Sequence, residues 1–411
     1  MKDYISNYIM EKQRDKILVT TSSFPLSEKS NIGGGLFVYN LCERLTQNYD
    51  IYVLAPLIKD SKKETRFNNI FVNRYKIFGG KKLIRSSGIA ATLSQNKLYF
   101  IFVPFFIISQ LFAIRKYINK YKIGTIHAHW LIPQGIVAVL YKRIFNQKIK
   151  IICTSHDSDL NMNFGWIGRQ LLKYTFNNID SLTVVSQSLK DKAISQGYKK
   201  QVEIIPMGVD TCKFNRLETD EIRKKHNISG NVLLFVGNFI EVKGIEYLIR
   251  AIPTVFKSNP NTTLLLVGDG ILKATFKKIA VDLNISDKVI FTGFIPNNEL
   301  PHYFSTADIL IMPSLNEGLG LVWVEAMACE TLVIASNIDV FKAHIKDNIN
   351  GFIVPVKNSK ALAEKITEVL ENKYKLDAVC KNARKYAIDH FEWEIVKKEY
   401  VALINTLIKF Y

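Results

Sequence analysis

The chain has 411 residues, 48% of them hydrophobic and 22% charged; that balance excludes a disordered chain, and the length asks for two cores rather than one. A formal net charge of +18 points to anionic partners: nucleic acid, an anionic membrane face or phosphorylated small molecules. Cys42, Cys153, Cys212, Cys329 and Cys380 are odd in number, far apart and free of any C-x-x-C, which argues against a disulfide framework or structural zinc and fits a reducing cytosol.

Met1-Lys2-Asp3-Tyr4 lacks the basic-then-apolar plan of a signal peptide, so the expected place is the cytoplasm, or the inner face of the plasma membrane as a peripheral protein. Residues 17–21 are β-branched and apolar and read as a first strand. A loop carries the chain to Asn31-Ile32-Gly33-Gly34-Gly35, where a helix pattern begins. Three glycines there let the backbone approach a ligand at a helix N-terminus, or simply form a loop tip. A helix with Leu41 and Leu45 four apart and a strand over 51–55 follow.

Residues 98–114 are almost wholly apolar, bounded by Lys97 and Arg115-Lys116. The run is short for a membrane span and holds Pro104, Ser109 and Gln110. It is expected to be a buried helix of the first domain; the alternative is in-plane contact with lipid. Strands follow at 124–128, 149–154 and 181–185, and the alternation with helices calls for a parallel sheet. Proline and glycine in Ile205-Pro206-Met207-Gly208 break the rhythm and mark a domain junction. The expected domains are 1–207, 208–390 and a last helix, 391–411. The rhythm restarts with strands at 232–236, 263–267, 288–291, 309–312, 332–335 and 351–354, giving a second doubly wound α/β domain. Such sheets bind ligands at the carboxyl ends of their strands.

The most informative segment is Pro313 to Met327, where an apolar strand ends in Glu317-Gly318-Leu319-Gly320-Leu321 and a helix carrying Glu325 begins. A glycine turn that opens a helix presents free N–H groups to an anion. Glu317 and Glu325 can each accept hydrogen bonds from hydroxyls. Phosphate between two sets of hydroxyls describes a sugar nucleotide. Lys243, near a helix start after the strand-end Gly237-Asn238, is placed to meet a diphosphate, and Asn238 can donate to the same group. Gly268-Asp269-Gly270 is a tight strand-end turn, and the backbone at Phe294-Ile295 can read a nucleobase edge while one of those side chains packs on the ring. In the first domain His127, His129 and His156 end strands at the ligand edge. Asp157-Ser158-Asp159 is a D-x-D that could hold a divalent metal; the preferred reading has Asp159 capping a helix or orienting His156, with no metal bound. The basic residues are scattered doublets without a zinc-finger, RRM or KH signature, so no nucleic-acid partner is expected.

Taken in order, these motifs resemble the family 4 retaining glycosyltransferases of GT-B fold (glycosyl transferases group 1). The matched pieces include Gly33-Gly34-Gly35, His127-Ala128-His129, Ser155-His156, Val185-Ser186, Lys243-Gly244, Gly268-Asp269-Gly270 and Glu317 through Met327. The resemblance implies two Rossmann-like domains facing a cleft, with the final helix crossing back to the first. It implies that Lys243, with Asn238 where the family often has Arg, neutralises a leaving diphosphate; that Glu317 and His156 hold the donor sugar; and that amides of Leu319, Gly320 and Leu321 bind sugar and phosphates. Glu325 would hold the ribose, and Gly34, Gly35, His129 and Ser186 would line the acceptor side. The implied reaction moves a sugar, with retention and without metal or cofactor, from a UDP- or GDP-linked donor to a saccharide or lipid-linked hydroxyl. Surface polysaccharide, lipopolysaccharide or glycolipid synthesis is the expected setting. An epimerase of the same architecture and a non-catalytic nucleotide-sugar-binding partner protein are the alternatives. The chain departs from the family at Glu330-Thr331-Leu332, where Gly-x-Pro is usual, at Asp339 to Ala343, and at Asp157, where glycine is common.

Overall fold

The computed structural model describes residues 14–26, 35–77, 101–161, 165–218, 220–372 and 376–409. They form two compact units. One takes the chain up to Val185, Leu189–Ile205 and everything from Lys397 on; the other takes Ser186–Ser188 and Pro206–Val396.

The first unit is built on an eight-stranded sheet: β1 (Lys16–Thr20), β2 (Asp50–Pro56), β3 (Glu64–Phe67), β4 (Ile70–Tyr75), β5 (Thr125–His129), β6 (Lys150–Ser155), β7 (Ser181–Val184) and β8 (Val202–Ile204). Their order is β3-β4-β2-β1-β5-β6-β7-β8. All neighbours are parallel except β3 and β4. Beyond their first residues, Asp50 and Lys150, β2 and β6 are buried throughout and largely apolar, as a sheet covered on both faces requires. The helices are α1 (Leu36–Leu45), α2 (Val103–Tyr121), α3 (Ile136–Ile144), the single turn α4 (Ser158–Asn161), α5 (Gly165–Asn178) and α6 (Gln187–Ser195).

Two features differ from expectation. The β3–β4 hairpin was not anticipated; its first strand has four residues, too few to show a period of two, and its turn is Asn68-Asn69, with Asn68 left-handed at φ 49°. The run at 98–114, of which 98–100 lie outside the described residues, is not a buried helix. Only Phe106, Gln110, Ile114, Tyr117 and Ile118 of α2 face inward, and the opposite side, apolar as well, is open to solvent.

The second unit holds six parallel strands in the order β11-β10-β9-β12-β13-β14. They are β9 (Asn231–Val236), β10 (Thr262–Val267), β11 (Val289–Gly293), β12 (Ile309–Met312), β13 (Leu332–Ser336) and β14 (Phe352–Val354). Around them lie α7 (Glu221–His226), α8 (Ile245–Ser258), α9 (Lys273–Asp282), α10 (Leu300–Thr306), α11 (Val322–Ala328), α12 (Asp339–His344), α13 (Ser359–Asn372) and α14 (Asp377–Phe391). Leu233, Phe235, Ile249, Leu266, Ile311 and Ile334 anchor its core. The last helix, α15 (Trp393–Lys409), starts in the second unit, where Trp393 lies flat on Gly208 so closely that a Cβ there would sit 2.5 Å from the indole. It ends in the first, where the Tyr49 hydroxyl donates to Asn405 at 2.9 Å and Lys397 reaches Gln47 at 2.8 Å. No described helix is long and apolar enough to cross a membrane.

Candidate active site

In the second unit the strand ends of β9 and β12 press together. Lys243 closes a short 3-10 turn after β9, and Gly244 follows it at φ 64° with its α-carbon against the Pro313 carbonyl, where an added Cβ would lie 2.0 Å from the oxygen. The amide of Leu315 donates to Val242 O at 2.8 Å and locks the two loops in register. This close approach delivers Lys243 Nζ to Glu317 Oε1 at 2.6 Å, and Ser314 Oγ donates to the same oxygen at 2.9 Å. Glu317 is nearly buried beneath Gly320, whose φ of 68° turns the chain over its carboxylate and whose added Cβ would come within 3.1 Å of it. The Leu319 carbonyl accepts a 2.9 Å bond from the Trp323 indole, so Gly318 to Leu321 is braced from within α11.

Glu325, on α11, is buried, and burial pushes its carboxyl up to about 7, against the pull of an Asn297 hydrogen bond and the Lys213 charge. Asn297 Nδ2 donates to Glu325 Oε1 at 3.3 Å, and Lys213 in turn donates to Asn297 Oδ1. Neither Asn297 nor Lys213 was expected at the site. Their only signal is that Asn297 sits in the loop after β11 and Lys213 in the loop before α7; the pairing spans 84 residues and leaves no trace in local pattern. Gly268 packs its α-carbon on the Gly237 carbonyl, and Asn238 beside it is exposed. Asp269, in the turn ahead of α9, is engaged at 2.7 Å by Lys273, the first residue of that helix. Phe294 is exposed and Ile295 partly so.

In the first unit, β5 and β6 are neighbours, which brings His129 and His156 together: Nδ1 of one lies 2.8 Å from Nε2 of the other, with the rings parallel. Phe37 from α1 and Trp130 close over His156 with ring centroids at 4.7 and 5.1 Å. Behind them the His127 ring lies tilted against His129 with centroids 4.4 Å apart, and its Nε2 is 2.7 Å from Thr154 Oγ1, which also meets Thr183 and the Tyr400 hydroxyl. Burial pushes His127 and His156 down to about 3 and His129 well below its ordinary value, so all three are neutral imidazoles near pH 7. Gly35, at φ 70°, starts α1; Gly34 lies outside the described residues. Ser186 is buried, and its hydroxyl has no hydrogen-bond partner among the described residues.

Of the two roles expected of Asp159, helix capping holds and orienting His156 does not: its carboxylate accepts at 2.7 Å from the Leu131 amide, the first N–H of the π-helical turn Leu131–Gly135 that leads into α3, and at 2.8 Å from Ser155 Oγ, tying that turn to the end of β6. Asp157 binds the Asn161 amide at φ 126°, a strained conformation for any residue but glycine, which explains why glycine suits that position. Among the described residues, no three His, Cys, Asp or Glu side chains converge on a point fit for a metal ion. Glu330 adopts the left-handed conformation glycine would take, at φ 58°, and its carboxylate lies 3.8 Å from Arg384. Thr331 donates to Phe304 O at 2.7 Å, so the backbone turn survives the loss of the usual residues.

Two parallel-sheet α/β units of this kind are the architecture of the GT-B fold. Comparison agrees. Residues 32–213 match the Glycosyltransferase Family 4 model and 218–386 the Glycosyl transferases group 1 model; the chain belongs to this family. An uncharacterized glycosyltransferase of Methanocaldococcus jannaschii is 30% identical over 235 residues, 55% of this chain and 60% of that protein, so the match spans under two thirds of that relative. The GDP-mannose-dependent alpha-(1-6)-phosphatidylinositol monomannoside mannosyltransferase of Mycolicibacterium smegmatis is 26% identical over 291 residues, 68% of this chain and 76% of the other. The structure of Anabaena HepE in complex with UDP superimposes with a TM-score of 0.74 at 18% identity, over 95% of this chain and all of the other, and supports the fold.

Proposed function

We propose that the chain transfers a sugar from a UDP- or GDP-linked donor to a hydroxyl acceptor with retention at the anomeric carbon, in surface polysaccharide, lipopolysaccharide or glycolipid synthesis. The observation that carries the reading is the contact of Lys243 with Glu317 under the Gly318–Gly320 turn. The difficult event is departure of the diphosphate as positive charge grows on the sugar. Lys243 and the amides of Leu319 to Leu321 stabilise the departing charge. Glu317, held in place by Ser314 and Lys243, accepts hydrogen bonds from sugar hydroxyls. The bond between the anomeric carbon and the phosphate oxygen breaks, the acceptor oxygen bonds the same face, and its proton passes to the leaving phosphate. No protein base and no metal is needed on this path. Asn297 and Lys213 fix Glu325 toward the ribose. His156, neutral and wedged between aromatic rings, offers a hydrogen-bonding group rather than a charge. A relative that uses GDP-mannose and a fold neighbour that binds UDP support a nucleotide-linked donor.

A thermal-shift screen of UDP-, GDP-, ADP- and CMP-sugars tests this directly, because a ligand that binds only the folded state raises its melting temperature. A shift with a UDP- or GDP-sugar, followed by a product of the donor's own anomeric configuration on an acceptor, supports transfer. Epimerised nucleotide-sugar without acceptor, or binding without turnover, overturns it.

A further inference from the structure

The crossovers β4–α2–β5, β5–α3–β6 and β6–α5–β7 all step the same way across the first sheet, so α2, α3 and α5 lie side by side on one face, with α3 packed between the other two. Each runs antiparallel to its strands and starts at their carboxyl edge. The outer face they present is unusual. Along α2 and the 3-10 turn that leads into it, Ile101, Phe105, Ile108 and Phe112 follow one another at helical spacing and are 69, 44, 52 and 57% exposed. At the start of α5, Trp166 and Ile167 are 71 and 67% exposed. Both apolar clusters therefore sit at the same end, toward the carboxyl edge where His129 and His156 lie. Farther down the same helices, Arg115, Lys116 and Lys120 on α2 and Arg169 and Lys173 on α5 are exposed. None of the three helices contains Asp or Glu. Between Thr65 and His156 the chain has fifteen Lys and Arg residues and no acidic one.

We propose that this α2–α3–α5 face docks on an anionic lipid bilayer, lying in its plane with the Ile101–Phe112 stripe and Trp166-Ile167 in the headgroup layer. Large apolar side chains backed by cations, with an indole at the margin, are what an interface of headgroups and acyl chains binds. The charge selects this occupant: a second copy would bring two carboxylate-free cationic faces together, whereas anionic headgroups complement them. Nucleic acid would leave the Ile and Phe stripe unused. The apolar stripe covers about 16 Å of helix, enough for in-plane seating and too short to span. This surface stands on its own residues and survives even if the transfer chemistry proposed above fails.

Flotation of the full chain with vesicles of phosphatidylcholine, alone or with about 30% phosphatidylglycerol, at low and high salt, tests it. The chain is expected to float with the anionic vesicles at low salt. Phe105→Ser/Ile108→Ser/Phe112→Ser should lower partition at least about tenfold at either salt, and Arg115→Glu/Lys116→Glu/Lys120→Glu should abolish the preference for phosphatidylglycerol, each charge contributing roughly fivefold. Thermal melts establish that each variant is folded, and Trp166→Ser/Ile167→Ser serves if the first is not. Absence of flotation at low salt, flotation unchanged by the substitutions, or a lipid-free dimer that the apolar substitutions dissociate would each overturn the proposal.

Discussion

Replacing Lys243 by Ala separates catalysis from folding at the proposed centre. Nζ lies 2.6 Å from a nearly buried Glu317 oxygen, so truncation leaves that carboxylate with the Ser314 hydroxyl alone. Removing one partner of such a pair leaves an incompletely compensated charge; with Lys243 itself about a fifth exposed, at 22%, the loss of stability should fall below the range for fully buried pairs, at about 1–2 kcal/mol. That is a fall of several degrees in Tm and would leave the chain folded at 25 °C. Loss of the clamp on a departing diphosphate is a separate and larger effect, roughly 100- to 1,000-fold in kcat/KM or about 3–4 kcal/mol. The double variant Lys243→Ala/Glu317→Gln distinguishes the two. Neutralising Glu317 should recover stability and not activity. Transfer measured by chromatography of the released nucleotide, beside urea melts of the three variants, gives both numbers. If kcat/KM of Lys243→Ala stays within threefold or so of the parent, or if the double variant regains activity along with stability, Lys243 holds Glu317 in place and does not meet the diphosphate.

Four further outcomes follow from the geometry. Burial holds Glu325 at about 7, above the unfolded 4.5, so the native chain keeps a proton that the unfolded chain has lost; stability should fall as pH rises from about 4.5 to 7 by up to roughly 3 kcal/mol relative to Glu325→Gln, and urea melts showing a pH-independent gap would contradict it. The same variant should weaken UDP or GDP binding in calorimetry, and unchanged affinity would remove Glu325 from the ribose. Gly244→Ala, forced to place a Cβ 2.0 Å from Pro313 O at φ 64°, should cost at least about 2 kcal/mol in denaturant melts; a smaller loss means the loop can slide and the Lys243 register is not rigid. His156 is neutral far below its ordinary range, so the kcat/KM profile should show no acid limb near pH 6.5 that His156→Asn removes; finding one would show the imidazole titrating during turnover.

Most strands of both sheets, the β3–β4 hairpin apart, were legible because parallel strands buried on both faces read as unbroken apolar runs, as in Val232-Leu233-Leu234-Phe235. The Glu317 turn was legible because glycine positions and a strand-to-helix switch are local events. What failed was whatever depends on which side of an element faces out. The composition of 98–114 is that of a core helix, and only the position of α2 at the outside of the first sheet exposes Phe105, Ile108 and Phe112. What could not be read at all was long-range pairing: His129 meets His156 because β5 and β6 are neighbours, and Lys213 reaches Asn297 across 84 residues. Asp159 was assigned to the nearest plausible partner in sequence, while its true partner, the Leu131 amide, is 28 residues away.

The most direct test is a crystal structure with a UDP- or GDP-sugar bound. The diphosphate is expected against Lys243 Nζ and the Gly318–Leu321 amides, the ribose on Glu325 and the sugar hydroxyls on Glu317. A diphosphate seated elsewhere, with the Lys243–Glu317 contact undisturbed and closed to the ligand, would contradict it.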